Sequence, residues 1–332
     1  MTIASPGEGA VLLRCLRSLE EEADGSFEVV LVRNGETGPE IDEAEKLPFV
    51  RTVAPVAIVG FSEGCNLGAA SASGAVYLFL NPDTVVARGA MSELEGTLAD
   101  PTIGIVMARL RLLHEPDRLN SSGNIVHISG LAWAGGYGQP VESVVELRDV
   151  PFPTGAAMAL RADLFNELGR FTEKLFLYQE DLELGWRARM RGLRVVVNPK
   201  ADVYHEYEFK RRPQKLYLLE RNRLVFVLSS FSARLLVVVA PVLVAAEVAL
   251  VLVAWREGWL RQKLAGWAWC VRNADWIRRH RRETQALRRT SDRELATMLT
   301  PVIDPGMLDV PALVVAMNPL MELYWSLARR LL

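Results

Sequence analysis

The chain has 332 residues, 50% of them hydrophobic and 23% charged, which is material for two domains or for one large α/β domain with an appendage. Thirty-eight basic residues against 40 acidic ones leave a formal charge of −2, so a nucleic-acid-binding surface spread over the whole chain is not expected. Cys15, Cys65 and Cys270 are far apart and share no ligand-type spacing, which argues against a zinc ribbon, a redox pair or a disulfide framework and for a reducing compartment.

Met1 to Gly9 is short and polar, without the apolar stretch of a secretory signal. From there to about residue 205 the pattern alternates between strand and helix. Phe27 to Arg33 reads as a β-branched strand closed by the turn signal Asn34-Gly35. Small residues from Cys65 to Ala72 predict a helix packed close to a sheet, and Ala75 to Leu80 predicts a strand ended by Asn81-Pro82. Ile103–Met107 and Arg194–Val197 read as two more strands, and Met158–Arg161 as a strand or a helix. Leu182, Trp186 and Met190 recur every four residues, which predicts an amphipathic helix over 181–191 stopped by Gly192. Such alternation favours a mostly parallel sheet with helices on both faces.

The last third changes character. Residues 235–254 contain one charge, Glu247, and one breaker, Pro241, and the run is long enough for a bilayer crossing at roughly 20 residues per span. Residues 256–294 then carry eleven Arg or Lys against five Asp or Glu, a net of +6 that leaves −8 for the rest of the chain. Five of the eight tryptophans (Trp255, Trp259, Trp267, Trp269, Trp276) fall in or beside that segment, a mixture suited to a headgroup interface. A second apolar stretch runs from Met307 to Leu327. A single crossing at 235–254 would separate the basic segment from the N-terminal domain, although both belong on the cytoplasmic side. The expectation is therefore a re-entrant or in-plane helical anchor; the alternative is a soluble helical hairpin buried against the domain or in a dimer.

Several residues can carry chemistry. Asp83 follows an apolar strand and an Asn-Pro turn, at the sheet edge where α/β folds bind ligands, although such turns more often only end strands. Glu180 and Asp181 open the predicted helix. Their minimal role is to complement its dipole, worth ~0.3–1 kcal/mol. The aromatic segment Phe171 to Tyr178 before them should bury the pair and raise one carboxyl pKa, which makes a usable general base. Glu183 and Arg187, four apart, are expected to pair on the helix surface. His205 could join Asp83 in supplying a nitrogen and an oxygen to a divalent cation, with diphosphate oxygens completing the shell. Gly155, in Thr154-Gly-Ala-Ala157, allows close backbone approach to a sugar or phosphate, or simply tight packing. Arg221 could meet a diphosphate or anionic headgroups, whereas Arg223 reads as solvated charge on a helix.

Taken in order, these stretches resemble the family-2 inverting glycosyltransferases of the GT-A fold, particularly the bacterial rhamnosyltransferase-like branch that acts on lipid-linked saccharides. The resemblance covers about residues 1–225. It rests on Arg14 to Leu19, Glu28 to Gly35, Gly60 to Gly68, Gly74 to Thr84, Thr154 to Met158, Gly169-Arg-Phe171, Phe176 to Asp181, Gly192 to Pro199 and His205. It implies a Rossmann-like GT-A catalytic domain over 1–225 and a helical membrane-associating region over 226–332. In that reading Asp83 holds a divalent cation, Mn2+ or Mg2+, with Asn81 replacing the first Asp of an Asp-x-Asp motif, and His205 is a further metal ligand. Asp181 is the base that deprotonates the acceptor, supported by Glu180. Asn34 and Asn66 lie near the nucleotide, and Gly155 near the donor sugar. The implied partners are a nucleotide-sugar donor, a glycan or lipid-linked saccharide acceptor, and the cytoplasmic face of the cell membrane.

Two departures stand out. Only Met1 to Ser5 precedes Pro6-Gly7 where the family has a full strand, and Arg33 replaces the acidic residue that helps recognise the base. They motivate a rival reading, a catalytically silent membrane-bound binding protein of the same fold. A nucleotidyltransferase is a weaker rival, because Pro6-Gly-Glu-Gly9 is a poor, acidic phosphate loop.

Overall fold

The computed structural model describes residues 2–4, 7–20, 27–206, 213–304, 306 and 312–332. The chain divides into two compact units, one of residues 1–124, 134–188 and 193–208, the other of residues 125–133, 189–192 and 209–332. Up to His205 the elements in chain order are β1 (Thr2–Ala4), α1 (Gly9–Glu20), β2 (Val29–Arg33), α2 (Pro39–Ala44), β3 (Val50–Val53), α3 (Phe61–Ser71) and β4 (Val76–Leu80). Next come β5 (Thr84–Val86), α4 (Ala90–Thr97), β6 (Ile103–Leu112), β7 (Leu119–Ser121), β8 (Asn124–His127), β9 (Ala132–Ala134) and β10 (Arg148–Asp149). The series closes with β11 (Ala157–Arg161), α5 (Ala162–Glu167), α6 (Glu180–Met190) and β12 (Arg194–His205).

In the first unit, β1, β2 and β3 form a parallel sheet, and seven further strands form a second sheet along the path β10-β12-β6-β11-β4, with β5 also on β12 and β7 also on β6. This second sheet is mixed, which corrects the expectation of a mostly parallel one. Only β6 and β12 run parallel; β11 is antiparallel to both its neighbours, and β5, β7 and β10 also pair antiparallel. A parallel return needs a crossover connection, usually a helix. The chain from β6 to β11 contains only short strands and turns, so it comes back in the opposite direction.

Both faces of this sheet are covered, which explains its near-continuous apolar strands. Ile103, Val106, Ala108, Ala157, Ala159 and Val196 pack with Leu12 and Leu16 of α1, Ile41 of α2 and Leu94 of α4. Ile105, Met107, Met158, Leu160, Val195 and Val197 face the other way, onto Cys65 of α3, Phe165 of α5 and Leu184 of α6. Met158–Arg161 is thus a strand. Helix α6 differs from its expected amphipathic form: every residue from Leu182 to Met190 is buried. Glu183 and Arg187 do pair, 3.5 Å apart, but inside the protein, where the guanidinium also donates to the carbonyls of Leu168 and Arg170. The period-four pattern could not separate a surface helix from one whose polar residues are satisfied internally.

The second unit contains α7 (Pro213–Ser230), α8 (Ala233–Arg256), α9 (Leu260–Arg272), α10 (Ala274–Ala286), α11 (Asp292–Leu295), β13 (Leu299–Thr300), α12 (Ala312–Ala316) and α13 (Asn318–Ala328), with β13 parallel to β8. The boundary expected at 225 falls inside α7. Helix α8 starts at Ser232, whose hydroxyl accepts from Leu235 N, and continues through Pro241. Its mean hydropathy reaches 2.8 over 18 residues, and only 17% of that window is buried. Glu247 faces inward. It accepts from Lys263 Nζ at 2.8 Å, from Trp267 Nε1 at 2.8 Å and from Arg223. Arg223, 1% exposed, also pairs with Glu220 at 3.1 Å and donates to Ser129 O at 3.0 Å. Its expected place in solvent is therefore corrected: two acids and two bases, none left unpaired, are gathered between α7, α8 and α9.

Candidate active site

Pairing of short strands builds the site. Strand β4 ends against β11, with Leu80 opposite Ala157, and Asn81 N donates to Ala156 O at 2.9 Å. The Thr84 hydroxyl donates to Asn81 O at 2.7 Å and tightens the Asn-Pro-Asp turn. Strand β5 then runs antiparallel to the end of β12, with Thr84 opposite His205, and Glu206 N donates to Asp83 O at 2.9 Å. This register places Asp83 beside His205. The Asp83 Oδ1 atom lies 3.2 Å from His205 Nε2, yet it is buried without a hydrogen bond. The opposite ring nitrogen, Nδ1, is 2.9 Å from Asn120 Oδ1 on β7.

Asp181 is held beside the residues that lead into β11. Its Oδ2 accepts from Gly155 N at 3.0 Å and its Oδ1 from Leu182 N at 2.7 Å. Glycine at 185 allows this approach, since a Cβ there would stand 2.5 Å from Pro153 Cδ and 2.9 Å from Phe152 Cβ. Burial, partly offset by those backbone donors, raises the Asp181 pKa. Glu180, 5% exposed, is pushed well above the usual carboxylate range by burial and by Asp181, and its Oε2 makes no hydrogen bond. Three of the four residues before the pair have positive φ: +67° at Phe176, +72° at Tyr178 and +66° at Gln179. For bulky side chains this conformation is strained, and such strain concentrates at functional sites.

Asn34 and Asn66 hold the surrounding loops. Asn34, at the end of β2, donates to Val59 O at 2.9 Å and accepts from Val59 N at 2.8 Å, fixing the entry to α3. Asn66 donates to Phe171 O at 2.9 Å and accepts from Phe171 N at 3.1 Å, tying α3 to the chain that leads into the strained segment. Gly60 completes the brace, because any Cβ there would lie 2.4 Å from Phe176 O. Asn81, Asp83, Gly155, Glu180, Asp181 and His205 thus gather along one edge of the sheet. Arg221 belongs to the second unit, buried on α7 with its guanidinium over the rings of Tyr217 and Trp269 at 5.4 and 4.8 Å. Arg33 reaches Glu45 at 3.5 Å in an exposed ion pair. Asn120 was not singled out from the sequence; the buried polar run Asn120-Ser-Ser-Gly-Asn124 is the signal that marks it.

The chemistry of the Asp83–His205 pair suits a divalent cation: an orphaned carboxylate oxygen and an imidazole nitrogen point at one another across a gap too close for two acceptors. Among the described residues no group of three His, Cys, Asp or Glu could hold a metal by itself. The remaining ligands would be diphosphate oxygens and water, the usual arrangement for a cation bound with a phosphorylated substrate.

Comparison with known proteins bears on the family and the fold. A curated relative, the O-antigen biosynthesis protein RfbC of Myxococcus xanthus, is 32% identical over 197 residues, which are 56% of this chain and 15% of that protein. Among solved structures, GalNAc-T7 with UDP, GalNAc and Mn2+ superposes with a TM-score of 0.58 at 20% identity, covering 69% of this chain and 47% of that one. A mannosyltransferase of Pyrobaculum calidifontis, in complex with GDP-Man and Mn2+, superposes with a TM-score of 0.51 at 16% identity, covering 99% of this chain and 83% of that one. The chain therefore spans only a small part of its curated relative, and the structural likeness shows the GT-A-type glycosyltransferase fold. The sequence profile described as "Glycosyltransferase like family 2" matches residues 1–226, the stretch that supplies every residue of the sheet-edge cluster, and the chain belongs to that family.

Proposed function

We propose that the protein is an inverting glycosyltransferase that moves a sugar, a hexose or a rhamnose-type deoxyhexose, from a nucleoside-diphosphate donor to a saccharide or lipid-linked acceptor of the cell envelope. The observation that carries this reading is the pairing of Asp83 Oδ1 with His205 Nε2 at 3.2 Å on the same sheet edge as the immobilised Asp181. Asp83 and His205 would hold a divalent cation, Mn2+ or Mg2+, which would supply charge stabilisation for the departing diphosphate. The Mn2+ and nucleotide sugar named for the fold neighbours support the assignment.

Asp181 takes the proton from the acceptor hydroxyl. Its rotamer is fixed by Gly155 and Leu182, and burial makes it more basic than a solvated aspartate, which suits a general base. Burial and the neighbouring Asp181 push the Glu180 carboxyl pKa well above the usual carboxylate range, so its environment differs from that of Asp181. Attack opposite the leaving group inverts the anomeric carbon in one displacement. Asn34 and Asn66 serve the nucleotide indirectly, by holding the loops around it. Arg33, which replaces the acidic residue at the end of β2, pairs with Glu45 at 3.5 Å.

Work at the cytoplasmic membrane face fits the second unit. Val237, Val244, Val248, Leu252 and Trp255 form an exposed stripe about 27 Å long on α8, at 1.5 Å per residue. Leu320, Leu323 and Leu327 on α13 add a second exposed apolar stripe. Glu247 lies about a quarter turn from that stripe and is tied to Arg223 and Lys263, so the helix suits an in-plane anchor better than a crossing, in which that network would enter lipid. Incubation with a panel of nucleotide sugars and membrane lipid extract, followed by mass analysis, tests the function. A glycosylated product that depends on divalent cation is expected; donor binding without any product would favour the silent relative.

A further inference from the structure

Asn120 occupies an unusual place in the sheet. Leu110 and Arg111 are consecutive on β6, yet their partners on β7 are Ser121 and Leu119, so Asn120 is the extra residue of a β-bulge. Bulges re-aim side chains and recur beside active sites. Here the bulged side chain, 4% exposed, places its Oδ1 2.9 Å from His205 Nδ1. The bulge is itself well supported. Ser121 Oγ donates to Asn124 Oδ1 at 2.9 Å, Asn124 Nδ2 donates to Pro153 O at 2.9 Å, and a Cβ at Gly123 would lie 2.1 Å from Val150.

An amide oxygen can only accept. Nδ1 must therefore carry the proton, and in the neutral ring the lone pair lies on Nε2, the atom that faces Asp83 at 3.2 Å. We propose that Asn120 is a positioning residue: it holds His205 in the Nδ1–H tautomer, so that Nε2 is presented with Asp83 to a divalent cation. The proposal rests on the reading of Asp83 and His205 as the cation-holding pair. Outer-shell partners of this kind are worth about 10–100-fold in metal affinity.

The test uses the full chain labelled with 15N in its histidines. There are four, and His205 is identified by the signals lost in His205→Gln. Near pH 8.5, where ordinary imidazoles are neutral, long-range proton–nitrogen spectra should show His205 protonated on Nδ1 and bare on Nε2. Titration with MnCl2 alone should broaden its ring signals. Asn120→Leu, which cannot accept, should abolish the tautomer preference and weaken the Mn2+ response at least about 10-fold. Asn120→Asp, which still accepts, should retain both. An Nε2–H tautomer in the unmutated protein would overturn the proposal, as would Asn120→Leu with unchanged spectra and Mn2+ response. Complete absence of Mn2+ broadening at His205 would remove the cation reading as well, so the two failures are distinguishable.

Discussion

Glu180 and Asp181 are neighbours in sequence with different surroundings. Backbone donors hold the Asp181 carboxylate, whereas Glu180 is buried with an oxygen that meets no donor. The folded protein thus keeps a proton on Glu180 above the range in which the unfolded chain releases it. Its contribution to stability is full below the ordinary carboxylate pKa of about 4.3 and declines as pH rises from there to the folded value. Glu180→Gln cannot ionise, so it should be more stable than the unmutated protein at neutral pH, with the difference narrowing toward pH 4. Urea unfolding at a series of pH values measures this; a difference independent of pH would mean that Glu180 is not held neutral. The acid pair, Asp83 and His205 were legible in the sequence because their residue types and their places after apolar runs are distinctive. The saturation of Asn34 and Asn66 by Val59 and Phe171 was not, since those contacts join segments 25 and 105 positions apart.

Elements were easier to read than their pairing. Apolar runs marked β2 and β4 to within two residues but only the first half of β6, which runs on from Met107 to Leu112, and Gly192, with φ +83°, marks the end of α6. Strand direction depends on how the chain returns between β6 and β11, which periodicity does not encode, and the mixed sheet followed from that. His205 likewise lies at the end of a twelve-residue strand that the short run Arg194–Val197 only begins. The close approach of α6 to the segment before Gly155 is set by the missing side chain at 185. Gly185→Ala would drive a methyl to 2.5 Å from Pro153 Cδ and 2.9 Å from Phe152 Cβ, at a cost of about 1–3 kcal/mol. The variant should melt lower and lose transfer rate through displacement of Asp181. Normal melting and turnover would show that the contact at 185 does not position the base.

At the scale of the whole molecule, the sequence turns apolar and then basic after residue 234, and the described structure forms two units, the second of which also takes in residues 125–133 and 189–192. The uneven charge and the 235–254 run were visible from composition. The ion network around Glu247 was not, because its members Glu220, Arg223, Glu247 and Lys263 meet only when three helices pack. If α8 lies in the membrane plane, Val244→Glu together with Val248→Glu should abolish flotation with phospholipid vesicles while leaving donor binding intact. Flotation unaffected by the pair would place the lipid contact elsewhere. The central claim is that a cation-holding pair and a separate base share one sheet edge, and the most direct measurement is calorimetric donor binding with and without Mn2+, set beside transfer rate, for Asp83→Ala and Asp181→Asn. Asp83→Ala should lose the Mn2+-dependent part of donor binding, and Asp181→Asn should bind donor normally while transfer falls at least about 100-fold. Unchanged Mn2+ dependence in the first variant, or normal turnover in the second, would contradict the account.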